Sequence, residues 1–191
     1  MVEEEAKTIE TSNKEKLEIA LEYKNEGNDY FKEQNYKKAL MSYGKSLAYV
    51  KGLKGKRNRA MMKALMPMYD DNSTTMSDED DDKAMSLEAI VETNIGVCYC
   101  KLGDPRKGID YFDKATTVDS SYWKPYLRKA EAYLQLNVFN QARTTLSTIN
   151  TSNFKPEDKK VIEALADKIN KAEKAEDKKS SSAFKGIFQK L

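Results

Sequence analysis

Apolar positions recur along this chain at helical spacing, in a pattern that repeats. From about Lys14, the residues Leu17, Ala20, Leu21, Tyr23, Gly27, Tyr30 and Phe31 form one packing set, and steps of three and four predict an amphipathic helix. A second set, Ala39, Leu40, Tyr43 and Leu47, begins near Tyr36 and predicts a partner helix. The pair of patterns then returns. Asn94-Ile95-Gly96-Val97-Cys98-Tyr99 is followed by Gly108, Phe112 and Ala115, with Gly103-Asp104-Pro105 between them as a helix stop and a helix start. Trp123-Lys124-Pro125-Tyr126, Ala130, Tyr133 and Leu134 come next, and after the turn at Asn137-Val138-Phe139 follow Ala142, Leu146 and Ile149. A last helix is predicted after Phe154-Lys155-Pro156, with Val161, Ile162, Leu165, Ala166 and Ile169 on one face.

The register of these pairs is regular. Gly27, Gly96 and Ala130 hold one small-residue position, and Ala39, Gly108 and Ala142 each fall twelve residues later. The second and third pairs are offset by 34 residues, the first and second by 69. A glycine in a helix interior costs about 1 kcal/mol against alanine, so Gly27 implies close approach of the neighbouring helix. The excess between the first two pairs falls in a stretch with Lys51, Lys54, Lys56, Arg57, Arg59 and Lys63, followed by an acidic run from Asp70 to Asp82. The second helix is expected to run on through the basic residues, with no strong stop before Met66-Pro67. The acidic run is too poor in apolar residues to order itself and is expected to be a loop.

Two helices in about 34 residues, repeated, resemble the tetratricopeptide repeat. The resemblance implies an all-α fold, a solenoid of three helix-turn-helix repeats at about 20–53, 89–122 and 123–156, closed by a capping helix at 156–178. The expected domain spans 14–178, interrupted by the basic helix extension and acidic loop at 54–83. A disordered N-terminus, 1–13, and a tail, 179–191, flank it.

Composition narrows the function. The 33 basic and 31 acidic residues leave a net charge of +2, so no global field draws the protein to nucleic acid. The basic stretch lacks interleaved aromatics and adjoins an acidic run, so no nucleic-acid partner is expected. With 34 % charged residues and a mean hydropathy of −0.78, the chain has no apolar run near the ~20 residues that span a bilayer. No membrane partner is expected. The acidic start Met1-Val2-Glu3-Glu4-Glu5 lacks the apolar core of a signal peptide, and a cytoplasmic location is expected. Histidine is absent, and with it the commonest general base and metal ligand. No catalytic residue, cofactor or metal is expected, and the chain reads as a non-enzyme. Cys98 and Cys100, two apart on a helix, suit small buried apolar roles better than a bridge or a chelate. Ser77, followed by Asp78-Glu79-Asp80, has the surroundings an acid-directed kinase prefers.

The candidate site lies on the first helix of each pair. Lys24, Asn28 and Phe31 stand at i, i+4 and i+7, Asn94, Val97 and Lys101 at i, i+3 and i+7, and Lys124 and Arg128 at i and i+4. Each set shares a helical face. Cations and amides with few carboxylates among them suit a short anionic peptide.

Lys24-x-x-Gly27-Asn28, Asn94 two residues before Gly96, and Lys124-x-x-x-Arg128 resemble the carboxylate clamp of co-chaperone tetratricopeptide domains. That resemblance implies a partner: the C-terminal Met-Glu-Glu-Val-Asp or Ile-Glu-Glu-Val-Asp tail of cytosolic heat-shock protein 90 or 70. It also implies roles. Lys24, Asn28, Asn94 and Lys124 grip the terminal Asp carboxylates, Arg128 holds an upstream group, Phe31 and Val97 line a pocket for the Val, and Lys101 adds a contact. The insertion and the ending Phe184-Lys185-Gly186-Ile187-Phe188 look more narrowly like the tetratricopeptide half of FKBP-type immunophilins, over roughly 15 to 188. Only about a dozen residues precede the repeats, so a prolyl isomerase domain is not expected here. The alternative is a generic scaffold that binds an internal peptide of a non-chaperone partner.

Overall fold

The computed structural model describes residues 13–53 and 77–188, with side chains described through Ser182. These residues form seven α-helices and no strand: α1 Asn13–Lys32, α2 Tyr36–Lys51, α3 Asp78–Lys101, α4 Pro105–Val118, α5 Lys124–Gln135, α6 Phe139–Ser147 and α7 Pro156–Phe188. The chain divides into two compact units, the boundary falling within α3 after Val91.

The turns inside the three helix pairs share one backbone device. Gln34, Gly103 and Asn137 have φ of 60°, 87° and 58°. They lie 69 and 34 residues apart, the offsets of the small-residue positions. In each turn the next amide reaches back five residues: Asn35 N to the Tyr30 carbonyl, Asp104 N to that of Tyr99, and Val138 N to that of Tyr133, all at 2.9 Å. A left-handed residue followed by this bond closes a helix by satisfying its last carbonyls. The following helix starts at once. The Asn35 and Asp104 side chains accept from the Lys38 and Lys107 amides, and Pro105 occupies the first turn of α4. Such caps contribute about 1 kcal/mol each.

In the first unit, α1 and α2 pack through Ala20, Gly27, Ala39 and Tyr43, all buried. A Cβ on Gly27 would stand 2.6 Å from the Tyr43 ring, so only glycine allows this approach. The Ser46 hydroxyl, fully buried, donates to the Ala20 carbonyl at 2.6 Å, and Lys51 meets the buried Glu88 at 3.9 Å.

In the second unit, Gly96 of α3 and Gly108 of α4 bring two backbones together. A Cβ on either would lie within 3 Å of the other's carbonyl oxygen. Phe112, fully buried, packs with Ile109 and Ala132. Leu127, Ala130, Ala142, Leu146, Ile162, Leu165 and Ile169 join α5, α6 and α7 in a second cluster, where each large apolar side chain contributes about 1.5–3 kcal/mol on full burial. Arg143 of α6 forms a two-pronged ion pair with Glu173 of α7.

Three expectations need correction. Helix α2 does not run on: it ends at Lys51, where the Gly52 amide bonds to the Ala48 carbonyl and Leu53 turns into the core. The rest of the basic stretch, the acidic residues up to Met76 and the expected disordered residues 1–12 lie outside the described residues. The acidic run is no loop from Asp78 on, because Asp78–Asp82 open α3. The Ser77 hydroxyl accepts from the Asp80 amide at 3.1 Å and donates to its carboxylate at 2.8 Å, a reciprocal cap of the type that starts helices. Negative charge in a first turn complements the helix dipole. The last helix does not stop at 178 but continues to Phe188. The Ser182 hydroxyl donates back to the Lys179 carbonyl within this helix.

Candidate peptide-binding site

In the first unit, Lys24 and Asn28 are one turn apart on α1, and both are half-buried. Asn28 is not simply solvated. Its Oδ1 accepts from the Tyr43 hydroxyl at 2.7 Å, which fixes the amide with Nδ2, its donor end, turned from Tyr43. Tyr43 is itself only 2 % exposed, held over Gly27. The close approach that requires glycine at 27 therefore also orients the amide at 28. Phe31 is half-buried and meets the Tyr36 ring edge-on at 5.3 Å, so part of its surface is committed to the turn.

In the second unit, Val97 and Lys101 of α3 and Arg128 of α5 line one cavity of about 580 Å³. Cys100, Phe112, Ala132 and Leu134 line it too, and α7 adds Lys168 and Ala172. Val97 rests on the Ile109, Phe112 and Ala132 cluster. Arg128 Nη1 is fastened to Glu131 at 2.8 Å. Asn94, half-buried on α3, and Lys124, exposed at the start of α5, are not among the residues lining this cavity.

Both thiols are spectators. Burial pushes the Cys98 thiol up to about 12, with Cys100 adding to it. Burial, followed by the nearby Glu131 and Asp104 carboxylates, pushes the Cys100 thiol up to about 11. A thiol held that high is protonated at neutral pH and is neither a nucleophile nor a ready metal ligand. Among the described residues no cluster of metal-ligating side chains forms, and no helix is long and apolar enough to cross a membrane.

Two contributors escape a reading confined to the first helices. Tyr43 has the spacing of a core residue, and only its hydroxyl bond reveals the second task. Lys168 stands next to Ile169 at the edge of the buried stripe of α7, where a lysine reads as a solvated flank.

A family model for the tetratricopeptide repeat matches residues 93–122. Over 140 residues, 73 % of this chain, the sequence is 30 % identical to the peptidyl-prolyl cis-trans isomerase FKBP4 of Bos taurus, and the match covers 26 % of that protein. The chain thus spans about a quarter of the length of the curated relatives it matches. Among solved structures, the Hsp90 co-chaperone Cns1 from Saccharomyces cerevisiae matches with a TM-score of 0.65 at 22 % identity, over 92 % of this chain and 46 % of that one. The first tetratricopeptide domain of Spaghetti (RPAP3), bound to the HSP90 peptide SRMEEVD, matches with a TM-score of 0.52 at 21 % identity, over 82 % of this chain and 94 % of that one.

Proposed function

We propose, from a chain that has the tetratricopeptide-repeat fold, that it is a peptide-binding co-chaperone adaptor. It holds the C-terminal Glu-Glu-Val-Asp tail of heat-shock protein 90, or of heat-shock protein 70, by its free carboxylates. The observation that carries this reading is the cavity of the second unit: three residues selected by register alone, Val97, Lys101 and Arg128, line it together. The RPAP3 domain, of the same fold, holds a peptide with that ending.

On this reading Lys24, Asn28, Asn94 and Lys124 bind the two carboxylates of the terminal Asp, the strongest hydrogen-bonding group a peptide end can offer. Asn28 contributes the amide that the Tyr43 bond orients. Arg128 takes an upstream acceptor, Phe31 and Val97 receive the Val side chain, and Lys101 adds charge at the rim. The module binds and does not catalyse: it has no histidine, and its thiols stay protonated. The cytoplasm is where such a partner is met.

The test is titration calorimetry with a Met-Glu-Glu-Val-Asp peptide. A hydrogen bond to a charged group contributes about 1.5–3 kcal/mol, so Lys124→Ala and Arg128→Ala should each weaken binding roughly tenfold or more. Unchanged affinity in both variants refutes the assignment.

A further inference from the structure

The cavity of the second unit holds more cations than its own carboxylate can balance. Lys101, Arg128 and Lys168 line it against a single acid, Glu131. Glu131 is already bonded to Arg128, and among the described residues neither Lys101 nor Lys168 forms an ion pair. Lys101 and Lys168 thus bring two positive charges to the lining without an ion-pair partner among the described residues. Beside Gln135 and Asn137, the lining offers apolar surface to a side-chain stem: Ala132 clusters with Ile109 and Phe112, and Leu134 is still half-exposed to an incoming group. An occupant that satisfies both features brings a carboxylate on a short aliphatic stem.

We propose that this cavity is a subsite for a glutamate side chain upstream of the terminal Val-Asp, its carboxylate between Lys168 and Lys101 and its methylenes over Ala132 and Leu134. The inference rests on the tail-binding reading and extends it. The last helix, outside the repeats, becomes a determinant of how an acidic tail is told from a neutral one. Charge complementarity at a rim sets specificity more than raw affinity, and exposed lysines act as flexible point charges rather than fixed forks. Lys168 is thus a specificity residue, whereas the clamp cations decide whether binding occurs.

The experiment is a charge cycle read by titration calorimetry at low salt. The full chain and its Lys168→Gln and Lys168→Glu variants are each titrated with Met-Glu-Glu-Val-Asp and Met-Gln-Gln-Val-Asp. In the unaltered chain, replacing the glutamates should weaken binding roughly three- to tenfold. In Lys168→Gln most of that difference should disappear, with affinity for the Gln peptide unchanged, and in Lys168→Glu the Gln peptide should bind as tightly as the Glu peptide or tighter. Lys168 is exposed, so its variants should melt like the parent. An undiminished Glu-to-Gln penalty in Lys168→Gln, or an equal loss for both peptides, overturns the subsite while leaving the tail-binding reading intact. Failure of the unaltered chain to bind either peptide overturns both, and a Lys124→Ala variant weakened alike for both peptides, with unchanged melting, shows that the reading beneath the subsite holds.

Discussion

The first two helix pairs repeat one register with different chemistry at the same two places. Asn28 and Tyr43 in the first unit correspond, 69 residues on, to Val97 and Phe112 in the second. In the first unit the two side chains are tied by a hydrogen bond between hydroxyl and amide. In the second, the aromatic ring has no hydroxyl, and its partner is an aliphatic residue packed beside it. The helix contacts differ to match. Gly27 approaches the Tyr43 ring, and Gly96 approaches the Phe112 ring and the Gly108 backbone together. One register thus carries an oriented polar side chain in the first pair and an apolar one in the second.

The largest expected effect breaks the backbone contact. A Cβ at 96 would stand 2.5 Å from the Phe112 ring and 2.9 Å from the Gly108 carbonyl. Backbone cannot step aside, so Gly96→Ala should lose about 2 kcal/mol by overpacking, even after alanine's helical advantage. At 27 the three atoms nearest the Cβ all belong to the Tyr43 ring, a side chain rather than backbone, and Gly27→Ala should cost about 1 kcal/mol. Urea denaturation of both variants checks the order. Equal losses would mean that the two contacts are equally rigid.

A smaller effect sharpens the polar half of the comparison. Tyr43→Phe gives the first unit the aromatic residue of the second, removing the bond that holds the Asn28 amide. It should cost about 1 kcal/mol in stability and weaken tail binding about three- to fivefold. Restored affinity in an Asn28→Val, Tyr43→Phe double variant would contradict the donor role of Asn28.

The smallest effect concerns the second unit alone. The Arg143 guanidinium, through its hydrogen bonds, holds the Glu173 carboxyl below its ordinary range. A depressed carboxylate contributes stability that is present above its unfolded-state pKa and lost as pH falls through the folded one. The parent should therefore lose more of its melting temperature on acidification than Glu173→Gln does. Parallel acid profiles would show the pair to be neutral.

The helices were legible because apolar spacing and small-residue offsets agree over three pairs. Gly103 and Asn137 announce their turns, while Gln34 does not, since glutamine, unlike glycine or asparagine, gives no sign of a positive φ. The acidic residues after Ser77 misled for a physical reason. High charge density argues against order in an isolated segment, yet in a helix's first turn the same charges are favourable, and Ser77 with Asp80 carried the capping signature. The end of α2 depends on Gly52, a weak stop among lysines. In the cavity of the second unit, Val97, Lys101 and Arg128 followed from register, but the Tyr43 hydroxyl bond and the place of Lys168 in the lining depend on which helices meet. No spacing along the chain encodes that.

The central claim is that a free peptide terminus, rather than an internal motif, is what these cations and amides recognise. Titration calorimetry of the unaltered chain with Met-Glu-Glu-Val-Asp and with the same peptide amidated at its C-terminus tests it most directly. The account predicts that amidation weakens binding at least tenfold, since it removes one of the two terminal carboxylates. Equal affinity for the two peptides would contradict it.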